Sequence, residues 1–147
     1  MNIKNYTSTV PASRSLSKIE QLLIEAGATN ITKDIENGAV KQIHFLIKES
    51  NFSQPILIRL PIEIDVVYKI LRDEIKKPRR GTLDKLRDQA TRTAWKIVAD
   101  WLEIQLTMIK FKQRKLIQIF LPDAVDQKTN QTFFQIIENN NYNLLTQ

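Results

Sequence analysis

The stretch NITKDIENGAVKQIHFLI (residues 30–47) decides the fold. Asn37-Gly38 is the strongest short hairpin signal, because a tight turn between twisted strands wants positive φ at its central positions and these residues reach it cheaply. Runs rich in isoleucine, threonine, valine and phenylalanine flank it on both sides. A two-residue loop sets Ile35 opposite Val40 and puts Ile31 and Ile35 on the face opposite Ile43, Phe45 and Ile47. A three-residue loop with a glycine bulge pairs Ile35 with Ala39 and Ile31 with Ile43, which gathers the larger apolar side chains on one face. Burial favours the second register, since a slip of one residue flips a whole strand. Pro55 to Leu60 (PILIRL) reads as a third strand closed by Pro61, so the middle of the chain is expected to be a three-stranded antiparallel meander.

Helices flank this meander. Before it, Ser17 and Glu20 make a capping box with Ser15 as a competing cap, Leu16, Ile19, Leu23 and Ala26 recur at helical spacing, and Gly27 supplies a left-handed stop. A first helix over residues 15–26 follows. After the meander, a second helix is expected over residues 62–76, with Ile62, Val66, Lys69 or Ile70, and Asp73 marking its turns and Pro78 forcing its end. Arg79-Arg80-Gly81 makes a basic turn, and Thr82 caps a long third helix. Leu86, Ala90, Ala94, Ile97, Trp101, Ile104 and Met108 form one stripe on it, and Trp95, Val98, Leu102, Leu106 and Ile109 a second. Residues 110–117 prolong this helix or leave it, Leu121-Pro122-Asp123 breaks it, and residues 133–138 form a last short helical segment before an Asn-rich tail. The whole is one α+β domain over residues 1–147: helix, three-stranded antiparallel meander, two helices of which the last is long, and a short C-terminal helical segment.

The 147 residues suffice for a core without staples, and the absence of cysteine excludes disulfides, thiolate nucleophiles and cysteine-bound zinc. No run of about 18 apolar residues offers a membrane span, and no signal-peptide core follows the first residues, so a cytoplasmic location is expected. His44 is the sole histidine. At an alternate strand position it reads as a half-exposed sheet residue, and without cysteine or a second histidine it completes no triad or imidazole metal site. Asp84 with Asp88, and Asp100 with Glu103, are spaced to share a helix face, but interleaved Lys85, Arg87 and Lys96 mark salt-bridged surface. Asp65 with Glu74-Ile75-Lys76 imitates a nuclease fragment, yet in a helical pattern where such sites use a strand. No glycine-rich phosphate loop exists. The chain is therefore expected to be no enzyme and to need no cofactor or metal.

The order helix, three strands, helix is also that of a double-stranded RNA-binding domain. That module begins its second helix with lysines, where Ile62-Glu63-Ile64-Asp65 is acidic, so the order matches without the chemistry.

Net charge is +6, and the excess concentrates in residues 72–96, with nine basic against four acidic side chains. Lys76, Lys77, Arg79 and Arg80 cluster at the turn; Lys85, Arg92 and Lys96 step by seven and four along one helix face, with Arg87 beside them. Phosphates need loosely placed cations and little else, so Lys76, Lys77, Arg79, Arg80, Arg87, Arg92 and Lys96 are the candidate residues for nucleic-acid or phosphate contact. The competing reading is an ordinary solvated turn between helices. No aromatic side chain interleaves the cations, which argues against a stacking platform for single strands.

Three segments, PASRSLSKIEQLLIEAGA (Pro11 to Ala28), RTAWKIVADW (Arg92 to Trp101) and QIFLP (Gln118 to Pro122), give the chain a resemblance to a family of small, functionally uncharacterised proteins encoded by bacteriophages and prophages. The sequence departs from that family at Asp123, where an aromatic residue is usual. The resemblance implies a non-enzymatic accessory of phage DNA metabolism, or a counter-defence protein that binds a host immune effector or sequesters a nucleotide signal. It brings no catalytic residues. A homodimer through residues 95–108, with Trp95 and Met108 at its ends, is also expected, because that helix carries more apolar surface than one small sheet covers.

Overall fold

The computed structural model describes residues 4–77 and 79–147, with the backbone alone at Arg80. Pro78, expected to end the second helix, lies outside the described residues. The elements are α1 (Ala12–Glu25), β1 (Thr29–Glu36), β2 (Ala39–Ile47), β3 (Ile56–Arg59), α2 (Ile64–Asp73), α3 (Arg80–Lys110), α4 (Leu116–Phe120), β4 (Val125–Asp126), β5 (Gln131–Thr132) and α5 (Phe133–Asn139). The α+β order holds, with α3 as the long helix of 31 residues. The chain divides into two compact units: residues up to Leu22 with Ile62–Ile104, and Leu23–Pro61 with Gln105–Gln147.

In the first unit, α1 begins a turn earlier than its serines suggest. The Pro11 carbonyl accepts from the amides of Arg14 (3.1 Å) and Ser15 (3.4 Å), so backbone rather than a Ser17–Glu20 box opens the helix. Ser15 is thereby placed inside the helix, buried, with its Oγ lacking a hydrogen-bond partner. Helix α2 is shorter than its apolar pattern predicts and presents a different face. Ile64 and Leu71 are buried while Val66 and Ile70 stand exposed. Asp65, Lys69, Arg72 and Asp73 share the polar side of this helix, and the apolar arc opposite them is broad enough that Val66 and Ile70, at its margin, stay exposed. Along α3, Ala90, Ala94, Trp95, Val98, Ala99 and Leu102 are buried, whereas Ile104 is 60% exposed. Trp95 is fully enclosed, its Nε1 without an acceptor. Ion pairs tie the helices: Lys18 to Glu103 at 3.1 Å between α1 and α3, and Arg87 to Asp65 at 3.3 Å between α3 and α2.

In the second unit the sheet runs β1-β2-β3, antiparallel throughout. The hairpin adopts the register that burial argued against. Ile35 pairs with Val40 across a two-residue loop, with Asn37 at φ 53° and Gly38 at 77°, the geometry of a type I′ turn. Ile35 is left 68% exposed, and bulges between Asp34 and Ile35 and between Thr29 and Thr32 shift the ladder beyond the turn. The turn's match to strand twist outweighs burial of one isoleucine at the hairpin tip. Ile43, Phe45, Ile47 and Ile58 face inward and are buried. Phe45 meets the edge of Phe120 from α4, ring centroids 5.1 Å apart at 81°. A bridge from Ile58 to Ala124 continues the far side of β3, and the small β4–β5 hairpin, which the sequence did not announce, leads into α5. Thr132 caps α5, its Oγ1 accepting from the Gln135 amide at 3.2 Å while the Gln135 side chain accepts from the Thr132 amide at 2.8 Å.

Between α4 and β4, Leu121–Asp123 form a 3-10 turn. Burial pushes the Asp123 carboxyl up to about 6. A folded-state value above the unfolded one means that the native state binds the extra proton between pH 3.8 and about 6, so this group weakens the fold as pH rises through that window. Asp123→Asn is expected to raise the melting temperature relative to the parent at pH 8 and to lose that advantage by pH 4. Thermal scans at pH 4, 6 and 8 check it; a gain of equal size at all three would rule out a desolvated carboxylate as the cause.

Candidate anion-binding sites

The seven candidate cations separate into two groups. Lys76, Lys77 and Arg79 lie in the connection between α2 and α3, exposed, and their side chains make no hydrogen bond or ion pair among the described residues. Arg80 opens α3, and its side chain lies outside the described residues. Lys85, one turn further along, is exposed and equally unpaired. Asp73 and Glu74, at the end of α2, directly precede these cations in the chain.

The remaining three are engaged. Arg87 reaches Asp65 and lies over the ring of Tyr68, its guanidinium carbon 4.1 Å from the centroid. Arg92 donates from Nε to the Ser8 carbonyl (3.3 Å) and from Nη2 to Gln89 Oε1 (2.7 Å). Lys96 donates to Asp100 Oδ1 at 2.7 Å. Residues 89, 92, 93, 96 and 100 form a polar stripe on α3, and that stripe holds residues 4–8. Gln89 Nε2 donates to the Ser8 carbonyl (3.0 Å), Thr93 Oγ1 to the Asn5 carbonyl (2.9 Å), and Asn5 Nδ2 to Asp100 Oδ2 (2.9 Å), with the Lys4 ammonium 3.6 Å from that oxygen. Asn5 adopts φ 66°, a left-handed conformation that asparagine tolerates. Nothing in the sequence paired residues 5–8 with a helix some 90 positions later.

Asp100 is the hub of this clasp. Burial alone would raise its carboxyl, but hydrogen bonds from Lys96 and Asn5 and the charges of Lys96 and Lys4 outweigh that and hold it below the ordinary carboxylate value. Its contribution to stability is therefore complete above that value and fades only in stronger acid.

Clefts open on the surface of each unit. In the first unit, one of about 410 Å³ lies between Tyr6, Leu71, Glu74, Ile75, Leu86 and Gln89, next to the connection. In the second unit, one of about 570 Å³ takes Lys48 and Glu49 from the end of β2 and Lys112, Arg114 and Lys115 from the turn between α3 and α4. Sequence reasoning passed over this group, because it read residues 110–117 as a possible extension of α3. The signal was the run KFKQRK (residues 110–115), four cations in six positions. The chain leaves the helix there through a Schellman motif: the Gln113 amide donates to the Met108 carbonyl and the Lys112 amide to Ile109, both at 2.9 Å, with Lys112 at φ 59°.

His44 has both ring nitrogens occupied. Arg59 Nε donates to Nε2 at 3.3 Å, and Nδ1 lies 3.5 Å from Asp34 Oδ2, while Arg59 also holds Asn130 Oδ1 at 2.6 Å. This is a cross-strand polar ladder. Among the described residues no group of three or more metal-binding side chains comes together, and no helix is long and apolar enough to cross a membrane. A homodimer through residues 95–108 would have to rest on Ile104 and half-covered neighbours, since Trp95, Val98, Leu102 and Leu106 are already buried within the chain.

Asp100→Ala removes the acceptor that Lys96, Asn5 and Lys4 share. It is expected to destabilise the protein by about 1–3 kcal/mol and to speed amide exchange at residues 5–8, whereas Lys85→Ala, on exposed surface, should stay within about 0.5 kcal/mol of the parent. Urea titration with hydrogen exchange measures both; unchanged exchange at residues 5–8 in Asp100→Ala would rule out the clasp.

Comparisons with protein-family models, with curated proteins and with solved structures found no match.

Proposed function

We propose that the protein is a non-enzymatic binding protein that contacts nucleic-acid phosphates through the connection between α2 and α3, as an accessory of the phage type that its sequence resembles. One observation carries this reading: Lys76, Lys77 and Arg79 are three exposed cations within four positions, and no carboxylate neutralises any of them among the described residues. Lys85 extends the group by one helical turn. Arg87, Arg92 and Lys96 leave the contact set, because each already serves a partner within the fold. What remains has the character of a backbone contact, a short run of loosely held point charges with no aromatic residue among them in the sequence.

The size of the patch fixes the expected salt response. Three to four neutralised phosphates on duplex DNA give a log–log slope of roughly −3. Fluorescence anisotropy of a labelled duplex between 25 and 200 mM KCl tests this, with Lys76→Glu/Lys77→Glu/Arg79→Glu expected to abolish binding and Lys96→Ala expected to keep the slope. Absence of binding at 25 mM, a slope near zero, or an unaffected triple variant overturns the reading. Retention of a host protein in place of nucleic acid, lost in the same triple variant, would move the function to protein contact by these cations.

A further inference from the structure

We infer that the cleft bounded by Lys48, Lys112, Arg114 and Lys115 is a separate binding site for a small phosphorylated ligand. Two chain segments more than sixty positions apart bring these four cations to one cavity of about 570 Å³, within the size range of small-molecule sites. None of the four pairs with a carboxylate or spends a side-chain hydrogen bond among the described residues.

The simplest alternative is that the cations offset helix dipoles, since Gly27 and Lys112, each two residues past the end of α1 and of α3, both line this cleft. Two C-termini carry about half a negative charge each. With the Glu49 carboxylate, that accounts for about two of the four positive charges. A surplus of about +2 remains, which matches the charge of one phosphate monoester.

Backbone geometry supplies an independent sign. Both helices leave through the same Schellman motif, with the Ala28 amide bonded to Leu23 (2.9 Å) and the Gly27 amide to Ile24 (3.0 Å) at the end of α1. At the left-handed position α1 uses glycine, Gly27 at φ 92°, and α3 uses Lys112 at φ 59°. Glycine is the low-energy choice there, so the second motif holds a strained residue, and that residue lines the cleft. Ile47, Ile109 and Leu116 also line the cleft and give it an apolar wall beside the charge, suited to the non-phosphate part of a compact ligand rather than to a passing polymer.

Isothermal titration of the full chain with inorganic pyrophosphate and with ATP, at 25 and 150 mM KCl, tests the site. Saturable binding of one equivalent is expected, at least tenfold weaker in Lys112→Gly and in Arg114→Ala/Lys115→Ala, and unchanged in Lys76→Glu/Lys77→Glu/Arg79→Glu. Lys112→Gly relieves the strained backbone, so its melting temperature should equal or exceed the parent's, and loss of binding cannot then be laid to misfolding. Tighter binding of ATP than of pyrophosphate identifies a nucleotide ligand that uses the apolar wall; equal binding identifies the phosphate group alone. The inference is overturned if neither probe binds at millimolar concentration in 25 mM KCl, if both pocket variants bind within twofold of the parent, or if binding disappears in the triple variant of the α2–α3 connection.

Discussion

Two consecutive residues with positive φ, Asn37 and Gly38, fix where β1 becomes β2, and the second unit is arranged around that choice. Once the turn is type I′, Ile35 must oppose Val40, and the ladder has to shift by a bulge before the inward alternation of Ile43, Phe45 and Ile47 is reached. These three then present one buried face, against which Phe120 stands edge-on to Phe45. The same strand delivers Lys48 and Glu49 at its end, so a backbone constraint at residues 37–38 sets the position of side chains ten residues later. Packing alone would have chosen the other register. A wrong turn splays both strands along their length, while one exposed isoleucine forfeits only its own burial.

In the first unit the organising element is the polar stripe on α3. A helix of this length with two apolar stripes has a side left over, and a bare stripe of Gln89, Arg92, Thr93, Lys96 and Asp100 would suit solvent. The chain instead lays residues 4–8 along it, and nearly every polar atom of the stripe acquires a defined partner. Carboxylate and ammonium on α3 thus serve an internal contact, and the charge available for other molecules is pushed toward the start of the helix and the connection before it. Where the cations end up is a consequence of how a terminal segment is held.

Much of this was legible in the chain. Asn37-Gly38 announced the hairpin, Gly27 the end of α1, and the 3–4 spacing from Ala90 to Leu106 the buried side of α3, because each signal is local and has one physical cause. The register was misread because bulges answer to the requirements of the whole sheet and leave no mark in a two-residue count. The face of α2 was misread because Ile64, Val66, Val67, Tyr68, Ile70 and Leu71 make a broad apolar arc opposite Asp65, Lys69, Arg72 and Asp73. The expected stripe followed one margin of that arc, while the chain buries Ile64 and Leu71 near its middle. The roles of Arg87, Arg92 and Lys96 were hidden for a different reason. The Lys96–Asp100 pair sits four positions apart, and what the sequence hid there was the terminal segment that joins it. Arg87 and Arg92 have partners, Asp65 and Ser8, that lie 22 and 84 positions away, so an engaged cation and a free one look identical in sequence. The cleft cations share that difficulty, since only the fold sets Lys48 beside residues 112–115.

The outer flank of the sheet is β1, eight residues long, with Ile31 half-buried and the other seven exposed. An open row of amides and carbonyls of that length is ordinarily an invitation to self-templating growth, in which one copy extends the ladder of the next. Here the two bulges leave no run in unbroken register longer than Thr32 to Asp34, and Lys33 and Asp34 set charge on that short run, with Glu36 beyond the bulge. A neighbouring copy would find too little straight strand to propagate a fibre. The irregularities that bring the hairpin into register therefore double as its protection against amyloid-like stacking.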